Sequence, residues 1–212
     1  DALLEELVEA ARLGNRHDFG RDIIPSMAQR KRLFAYPFVD ENPGHSTYWR
    51  DVGTLDAYYE ANMDLISIEP QFNLYDQHWP VRTHQRQFPP AQTVFCEEQG
   101  SQLRKGEALE SLISSGCIIS GATVRRSILS PMVRVRSFGQ VEDAVLMDAV
   151  EVGRHAHIKT AIVDKHAEIL PGVRVGFDRE EDSKRFHVTD EGIVVIPKGA
   201  IVGKDQIKSK WK

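Results

Sequence analysis

The 212-residue sequence has only two cysteines, Cys96 and Cys117, which is too few for a disulfide framework and leaves no metal-ligand spacing, so we expect buried thiols. It has no apolar run long enough to cross a bilayer and no secretory signal pattern, so we expect a cytoplasmic protein without a membrane partner. Its net charge is -4, so it also lacks the basic excess that attracts nucleic acid. These absences leave one or two soluble domains as the expected organisation.

The most regular feature is a repeat of 17 residues that begins near Leu109. Apolar residues recur in phase at three positions of the repeat: Val133, Val150 and Ala167; Val135, Val152 and Ile169; and Val141, Ile158 and Val175. An earlier unit at residues 109–125 fits the pattern at Leu112, Ile118 and Val124. Because the apolar positions inside a unit are five or six residues apart, each unit should contain three short strands separated by turns. This pattern predicts an all-β left-handed parallel β-helix of the hexapeptide type, in which the coils stack around one core.

Three histidines, His155, His157 and His166, lie within these coils. A histidine on such a solenoid can act as the general base of an acyltransferase, so this function is one alternative. However, no long loop interrupts the 17-residue units to form the wall of a pocket for an acyl carrier. We therefore interpret the three histidines as solvated corner residues and the solenoid as a structural and oligomerising element.

A second feature precedes the repeat, where the stretch YWRDVGT at residues 48–54 leads into a segment with helical periodicity. The apolar residues of that segment recur on one side, at Leu55, Tyr59, Met63 and Ile66. Thr54 is then the expected N-cap of an amphipathic helix. The loop before it presents Asp51, whose carboxylate could hold a divalent cation or a sugar hydroxyl. The alternative is that Asp51 only pairs with Arg50 or another neighbour at the surface.

Three stretches of the chain resemble one enzyme family. They are HDFGRDIIP at residues 17–25, YWRDVGTLDAYY at 48–59 and YDQHWPVRT at 75–83, the last followed by Pro89, Pro90 and Ala91. Together they resemble the ADP-glucose pyrophosphorylases (glucose-1-phosphate adenylyltransferases) of bacteria and plants, and the resemblance continues through the repeats. It implies an α/β remainder of a nucleotidyltransferase catalytic domain at residues 1–70, an interdomain linker at 71–102 and a β-helix regulatory and oligomerisation domain at 103–212.

The resemblance also implies roles for individual residues. Asp18, Phe19 and Trp49 would bind glucose 1-phosphate, Asp51 would be the catalytic Mg²⁺ ligand, and Lys165 and Lys198 would bind an anionic metabolite effector. From the residues alone, other interpretations stay open. Asp18 suits an N-cap or turn position, and Phe19 and Trp49 suit core positions. The two lysines could equally be ordinary surface residues.

The implied reaction is the attack of a sugar phosphate oxygen on the α-phosphate of ATP, which forms ADP-glucose and releases pyrophosphate. Mg²⁺ would neutralise the developing charge, and no covalent enzyme nucleophile is required. In this family a glycine-rich nucleotide loop, a further metal-binding carboxylate and a lysine that holds the sugar phosphate lie upstream, and none of these motifs occurs in this sequence. We therefore expect the carboxyl-terminal half of a longer protein, which would not be active alone.

The resemblance further implies glycogen or starch biosynthesis, allosteric control by the effector, and assembly into a homotetramer. A non-catalytic regulatory or scaffolding subunit is the main alternative to an enzyme. The presence of Trp49, Arg50 and Asp51 together favours the enzyme, because a subunit freed from catalysis need not keep them.

Overall fold

The computed structural model describes residues 2–14, 18–36, 48–78, 80–84, 86–95, 105–204 and 207–209. The chain separates into two compact units, Asp1–Thr47 and Tyr48–Lys212. The domain boundaries expected at residues 70 and 102 stay predictions. Among the residues that the structure describes, no helix is both long and apolar enough to cross a membrane.

The first unit consists of short helices. They are α1 (Ala2–Arg12), a π-helical segment (Phe19–Ile23) and α2 (Ile24–Arg30). The small core of this unit contains Ala10, Ile23 and Met27, with Leu7 packed against them. Glu6 is only 8% exposed, and its carboxylate accepts a hydrogen bond from the Arg30 guanidinium at 2.5 Å. This nearly buried charge is therefore paired, as burial requires.

The second unit begins with the segment that leads into α3 (Leu55–Asp64). Thr54 caps this helix as predicted, because its hydroxyl accepts the Ala57 N–H at 3.1 Å. The helix ends before Ile66, and none of its residues is fully buried. The predicted apolar stripe is therefore wrong at its carboxyl end.

The strands that follow are short. They are β1 (Gln92–Val94), β2 (Glu107–Leu109), β3 (Leu112–Ile113), β4 (Ile118–Ser120), β5 (Thr123–Arg125), β6 (Ile128–Leu129), β7 (Arg134–Val135), β8 (Gln140–Leu146), β9 (Glu151–Val152), β10 (His157–Val163), β11 (Glu168–Ile169), β12 (Arg174–Val175), β13 (His187–Val188), β14 (Val194–Ile196), β15 (Ala200–Val202) and β16 (Ile207–Ser209). A further helix, α4 (Arg179–Arg185), lies between β12 and β13.

Within the described residues, the strands form two sheets. One sheet has the order β1-β4-β7-β9-β11-β15-β16, and the other contains β13-β14-β10-β8-β5-β2 with β3, β6 and β12 paired alongside. The pairs are parallel except for β13 with β14 and β15 with β16. Successive turns of the chain thus lie side by side in both sheets. This arrangement is a parallel β-solenoid, which confirms the predicted hexapeptide-type β-helix.

The 17-residue repeat corresponds to one coil of the solenoid, so residues 17 positions apart in the sequence lie side by side in neighbouring coils. Gln140 pairs with His157, and Glu151 pairs with Glu168, in neighbouring coils. Each in-phase apolar residue of the predicted pattern, from Val133 to Val175, is at most 1% exposed and belongs to one core. The sequence pattern therefore identified this part of the interior correctly.

The first coil is one residue shorter than predicted. Leu112 pairs with Ile128, a step of 16 residues instead of 17. Because side chains alternate between the two faces of a strand, this shift turns Ile119 to the core, where it is 1% exposed, and leaves Ile118 half-buried. The predicted inward positions of Leu112 and Ile118 are therefore wrong, whereas that of Val124 is confirmed.

The last coil is interrupted by an excursion of the chain that contains α4. β10 pairs with β14 so that Ala161 lies beside Val194, 33 positions further along the sequence. Asp178 caps α4 by accepting the N–H groups of Glu180 and Glu181 at 3.0 and 3.1 Å. The charge run at residues 178–185 is thus a capped helix that projects from an otherwise regular stack.

A buried carboxylate holds this excursion where it leaves β12. Asp182 is 3% exposed, and its Oδ2 accepts the Gly176 N–H at 2.9 Å. Burial raises the pKa of Asp182, although its hydrogen bonds act in the opposite direction. Gly176 has a φ of +82°, and a Cβ atom there would lie 1.7 Å from the Lys159 carbonyl oxygen, so only glycine fits.

Of the two cysteines, Cys117 lies in the solenoid core with no exposed surface, which confirms the expected buried thiol. Burial raises the pKa of the Cys117 thiol, so the unreactive thiol form is favoured. Cys96 lies outside the described residues.

The shortened first coil predicts different costs for two adjacent isoleucines. Ile119→Ala should lower the free energy of unfolding by about 2–5 kcal/mol, the range for truncating a fully buried isoleucine. Ile118→Ala is the matched control and should cost less than half of that, because Ile118 lies on the other face. Urea denaturation of both variants measures the difference. Equal losses, or a larger loss at Ile118, would mean that the 17-residue register extends into the first coil.

The buried Asp182 predicts a stability that depends on pH. Because its pKa is raised in the folded chain, its ionisation opposes folding: the cost is absent below the ordinary aspartate pKa of about 4 and complete above the folded-state pKa. Asp182→Asn should therefore gain stability relative to the parent chain as the pH rises from about 4 to about 7. Urea denaturation across this range measures the gain, with the exposed Asp190→Asn as control. A stability difference that does not change with pH would contradict the prediction.

Candidate functional site

The segment that precedes α3 presents an acidic and an aromatic side chain to solvent. Trp49 is 76% exposed, and Asp51 is also exposed. The Asp51 Oδ1 accepts the Gly53 N–H at 2.9 Å, which fixes the carboxylate in a tight turn just before the helix cap. Because this bond uses one oxygen, the carboxylate keeps further acceptor sites for a cation or a hydroxyl.

Arg50 forms no ion pair with Asp51 among the described residues, so that part of the alternative is wrong, whereas the bond of Asp51 to the neighbouring Gly53 N–H agrees with its other part. The Arg50 guanidinium instead meets the Glu60 carboxylate at 2.6 Å, one and a half helical turns into α3. The ion pair is partly exposed and contributes little to stability by itself. It does, however, join the segment that carries Asp51 to the body of the helix. Sequence patterns did not predict this contact.

α3 in turn contacts the solenoid at β8. The Tyr59 hydroxyl donates a hydrogen bond to the Asp143 carbonyl oxygen at 2.7 Å. Burial, and then the charge of Asp143, raise the pKa of Tyr59 to about 12, while the positive charge of Arg126 acts in the opposite direction. The outward-facing Val145 of β8 is only 2% exposed although it lies outside the solenoid core. This face of the solenoid is therefore covered.

Asp18 and Phe19 lie in the first unit, at the start of the π-helical segment. Asp18 is its N-cap, because its Oδ1 accepts the Arg21 N–H at 2.8 Å. The structure therefore supports the capping interpretation of Asp18, which does not exclude a further hydrogen bond to a ligand. Phe19 is 49% exposed, so the interpretation of Phe19 and of Trp49 as core residues is wrong.

The predicted sugar-binding residues are divided between the units. Asp18 and Phe19 are sequence neighbours in the first unit, and Trp49 and Asp51 lie on one segment of the second. Within each pair, an exposed aromatic ring accompanies a carboxylate that is oriented by a backbone N–H, which is an arrangement suited to binding a sugar.

Lys165 and Lys198 lie in turns on the same corner of the solenoid. The Gly199 N–H donates to the Lys165 carbonyl oxygen at 2.9 Å, and the His166 N–H donates to the Asp148 carbonyl oxygen at 2.8 Å. These bonds stack the corners of successive coils. Both lysine side chains are exposed, so two cations are presented from neighbouring coils at one corner.

The three solenoid histidines differ in environment. His155 and His166 are exposed corner residues with φ values of 58° and 60°, as predicted, and the His155 ring stacks on Phe138 at 4.4 Å. His157 is instead a half-buried residue of β10, so its interpretation as a corner residue is wrong. Burial, then the charges of Arg174 and His155, lower the pKa of His157.

An open groove lies in the segment between α3 and the solenoid. It has a volume of about 540 Å³ and is lined by Phe72, His78, Pro80, Val81 and Arg82. Among the described residues, no group of three or more histidine, cysteine, aspartate or glutamate side chains is arranged to hold a metal ion. A metal at Asp51 would therefore need ligands from a substrate, from water or from other parts of the protein.

Comparison with known proteins gives two family matches in succession. Residues 1–68 match the family described as Nucleotidyl transferase. Residues 89–196 match the family described as GlmU-like, C-terminal hexapeptide, which covers the solenoid. The α/β remainder of a nucleotidyltransferase followed by a hexapeptide β-helix is therefore confirmed.

Several curated relatives carry the name glucose-1-phosphate adenylyltransferase. The protein from Koribacter versatilis (strain Ellin345) is 50% identical over 197 residues, which are 92% of this chain and 46% of the relative. That from Anaeromyxobacter sp. (strain Fw109-5) is 50% identical over 204 residues, with 93% and 49% covered. That from Rhodopirellula baltica (strain DSM 10527 / NCIMB 13988 / SH1) is 49% identical over 202 residues, with 94% and 45% covered.

The chain thus spans about half the length of the curated relatives it matches. The family matches and the relatives agree, because a nucleotidyl transferase segment precedes the hexapeptide solenoid in the order that the resemblance implied. The chain therefore belongs to the GlmU-like, C-terminal hexapeptide family, and its resemblance to the glucose-1-phosphate adenylyltransferases, or ADP-glucose pyrophosphorylases, is confirmed.

Proposed function

We propose that the protein to which this chain belongs transfers an adenylyl group from ATP to glucose 1-phosphate and so makes ADP-glucose and pyrophosphate. The observation that carries the proposal is the exposed Asp51 carboxylate, held by the Gly53 N–H beside the exposed Trp49 ring. The names of the relatives and the match of residues 1–68 to nucleotidyl transferases support it. ATP would bind mainly to the part of the protein that this chain does not include.

Asp51 suits Mg²⁺, because this cation takes oxygen ligands and is usually held by one or two carboxylates together with water and substrate phosphates. The single carboxylate of Asp51, oriented by the Gly53 N–H, is thus compatible with a Mg²⁺ site whose other ligands come from outside the described residues. When bound, Mg²⁺ would supply charge neutralisation for the phosphates. The Asp51 carboxylate would bind the ion just before the start of α3. There the Gly53 N–H orients the carboxylate, and the Thr54 cap fixes the backbone that follows.

Each predicted pair offers groups that suit a sugar, Asp18 and Phe19 in the first unit and Trp49 in the second. Exposed aromatic faces such as Phe19 and Trp49 can pack against the apolar face of a sugar ring, and burial of these faces would favour binding. The Asp18 carboxylate would accept sugar hydroxyl groups with the acceptor sites that the Arg21 N–H leaves open.

Lys165 and Lys198 would bind an anionic metabolite that regulates the enzyme. Support comes from their position on stacked corners, where the Gly199 N–H bonds to the Lys165 carbonyl oxygen. Two exposed ammonium groups on neighbouring coils could hold a phosphate by charge and hydrogen bonds. Allosteric control, a role in glycogen or starch synthesis, a cytoplasmic location and a homotetramer all belong to this proposal.

We expect Asp51→Asn to lower the rate of pyrophosphate release from ATP and glucose 1-phosphate by about 100-fold or more in the full-length protein, because a metal ligand is lost. Asparagine still accepts the Gly53 N–H, so the turn should persist. The exposed Glu69→Gln is the control and should leave the rate unchanged. An active parent protein with an equally active Asp51→Asn variant would refute the role of Asp51. An inactive parent protein would refute the proposed activity and favour a regulatory subunit.

Removing either corner lysine should weaken effector binding. Lys165→Gln and Lys198→Gln should each lower the affinity for the activating anion by about tenfold or more, since a charge-assisted hydrogen bond is lost. Activity without effector should not change. The assay titrates the full-length protein with inorganic phosphate and a set of sugar phosphates, with Lys184→Gln of α4 as control. Unchanged responses in both variants would mean that these lysines are ordinary surface residues.

A further inference from the structure

The first two turns of α3 make contacts in two directions, to the segment that carries Asp51 and to the solenoid. Toward the Asp51 segment, Thr54 caps the helix and Glu60 pairs with Arg50 at 2.6 Å. Toward the solenoid, the Tyr59 hydroxyl donates to the Asp143 carbonyl oxygen at 2.7 Å. Tyr59 and Glu60 are adjacent, so one helical turn carries both connections. The helix is therefore a short mechanical link between the Asp51 segment and a coil of the solenoid.

The acceptor of the Tyr59 hydrogen bond lies at a fixed point of the solenoid. Asp143 is a corner residue of β8 with a φ of 49°. Its carboxylate accepts two hydrogen bonds from the Arg126 guanidinium, at 2.7 and 3.0 Å, and Arg126 also pairs with Glu142. The next residue, Ala144, has no exposed surface and donates its N–H to the Ser127 hydroxyl at 3.1 Å. The corner thus has little freedom to move.

Tyr59 is suited to act as a permanent donor. It is half-buried, and its hydroxyl is protonated at neutral pH as in any tyrosine, with burial raising the pKa further, to about 12. The neighbouring Tyr58 is also half-buried in α3, but its hydroxyl has no hydrogen bond among the described residues. The two tyrosines therefore differ in the hydrogen bond of the hydroxyl group, which a change to phenylalanine removes without removing the ring.

We propose that Tyr59 is a positioning residue, which holds the Trp49–Asp51 segment in place by anchoring α3 to the Asp143 corner of the solenoid. The hydroxyl does not touch a substrate and acts only through the helix. Its consequence for catalysis rests on the proposed function, because it concerns the role of Asp51 as a metal ligand. The positioning itself does not depend on that role.

The first experiment measures positioning without activity. Hydrogen–deuterium exchange of the full-length protein should be faster by about three- to tenfold at the backbone amides of residues 49–57 in Tyr59→Phe, which is the range expected for the loss of one hydrogen bond. Phenylalanine keeps the ring and its packing. Tyr58→Phe is the matched control and should leave these amides unchanged. Equal exchange in the parent protein and in Tyr59→Phe would overturn the proposal.

The second experiment measures the effect on catalysis. In Tyr59→Phe, kcat should fall and the concentration of free Mg²⁺ that gives half-maximal rate should rise, each by about three- to tenfold. A purely structural defect would reduce the amount of active enzyme without changing the Mg²⁺ requirement. Faster exchange with an unchanged Mg²⁺ requirement would overturn the catalytic part of the inference. An inactive parent protein would instead refute the proposed function, while the exchange result would still decide whether Tyr59 positions the segment.

Discussion

The stacking of inward-facing apolar side chains along the solenoid is the constraint on which the rest of this chain depends. A single coil of short strands cannot bury its own apolar face, so each coil requires the next one in the same register. The column Val135, Val152 and Ile169 and the column Val141, Ile158 and Val175 are almost completely buried. Because side chains alternate along a strand, a register shift of one residue would expose such a column. The 16-residue spacing between the first two coils therefore places Ile119 inside the core instead of Ile118.

The corners of the solenoid carry both backbone strain and the residues of interest. Among the described residues, nine non-glycine residues have φ values between 42° and 65°, a region that costs roughly 1–2 kcal/mol for a residue with a side chain. Hydrogen bonds between successive corners, such as that from the His166 N–H to the Asp148 carbonyl oxygen, offset this cost. The same corners present Lys165 and Lys198 to solvent and offer the Asp143 carbonyl oxygen to Tyr59. Rigid corners are therefore the points at which the solenoid can bind other groups.

The site residues whose environment depends on near neighbours in the sequence could be predicted well. The position of Thr54 before an apolar segment predicts its helix cap, and the short side chain of Asp18 suits the cap that the structure shows. The exposure of Phe19 and Trp49 could not be predicted, because an aromatic residue has the same sequence pattern in a core as on a binding surface. The functions assigned to these residues came from resemblance, since spacing alone did not distinguish a ligand-binding carboxylate from a cap.

Periodicity was sufficient to derive the solenoid and its interior from Val133 to Val175, because identical coils impose one local pattern that repeats in the chain. Folding in three dimensions decided which contacts break that pattern. One such break is the one-residue shift of the first coil. Two others are the pairing of Arg50 with Glu60 and the hydrogen bond from Tyr59 to Asp143, which join residues that no repeat period relates. The last of these spans 84 positions of sequence. Its partner is a backbone carbonyl group, which every residue possesses, so only the geometry of the corner selects it.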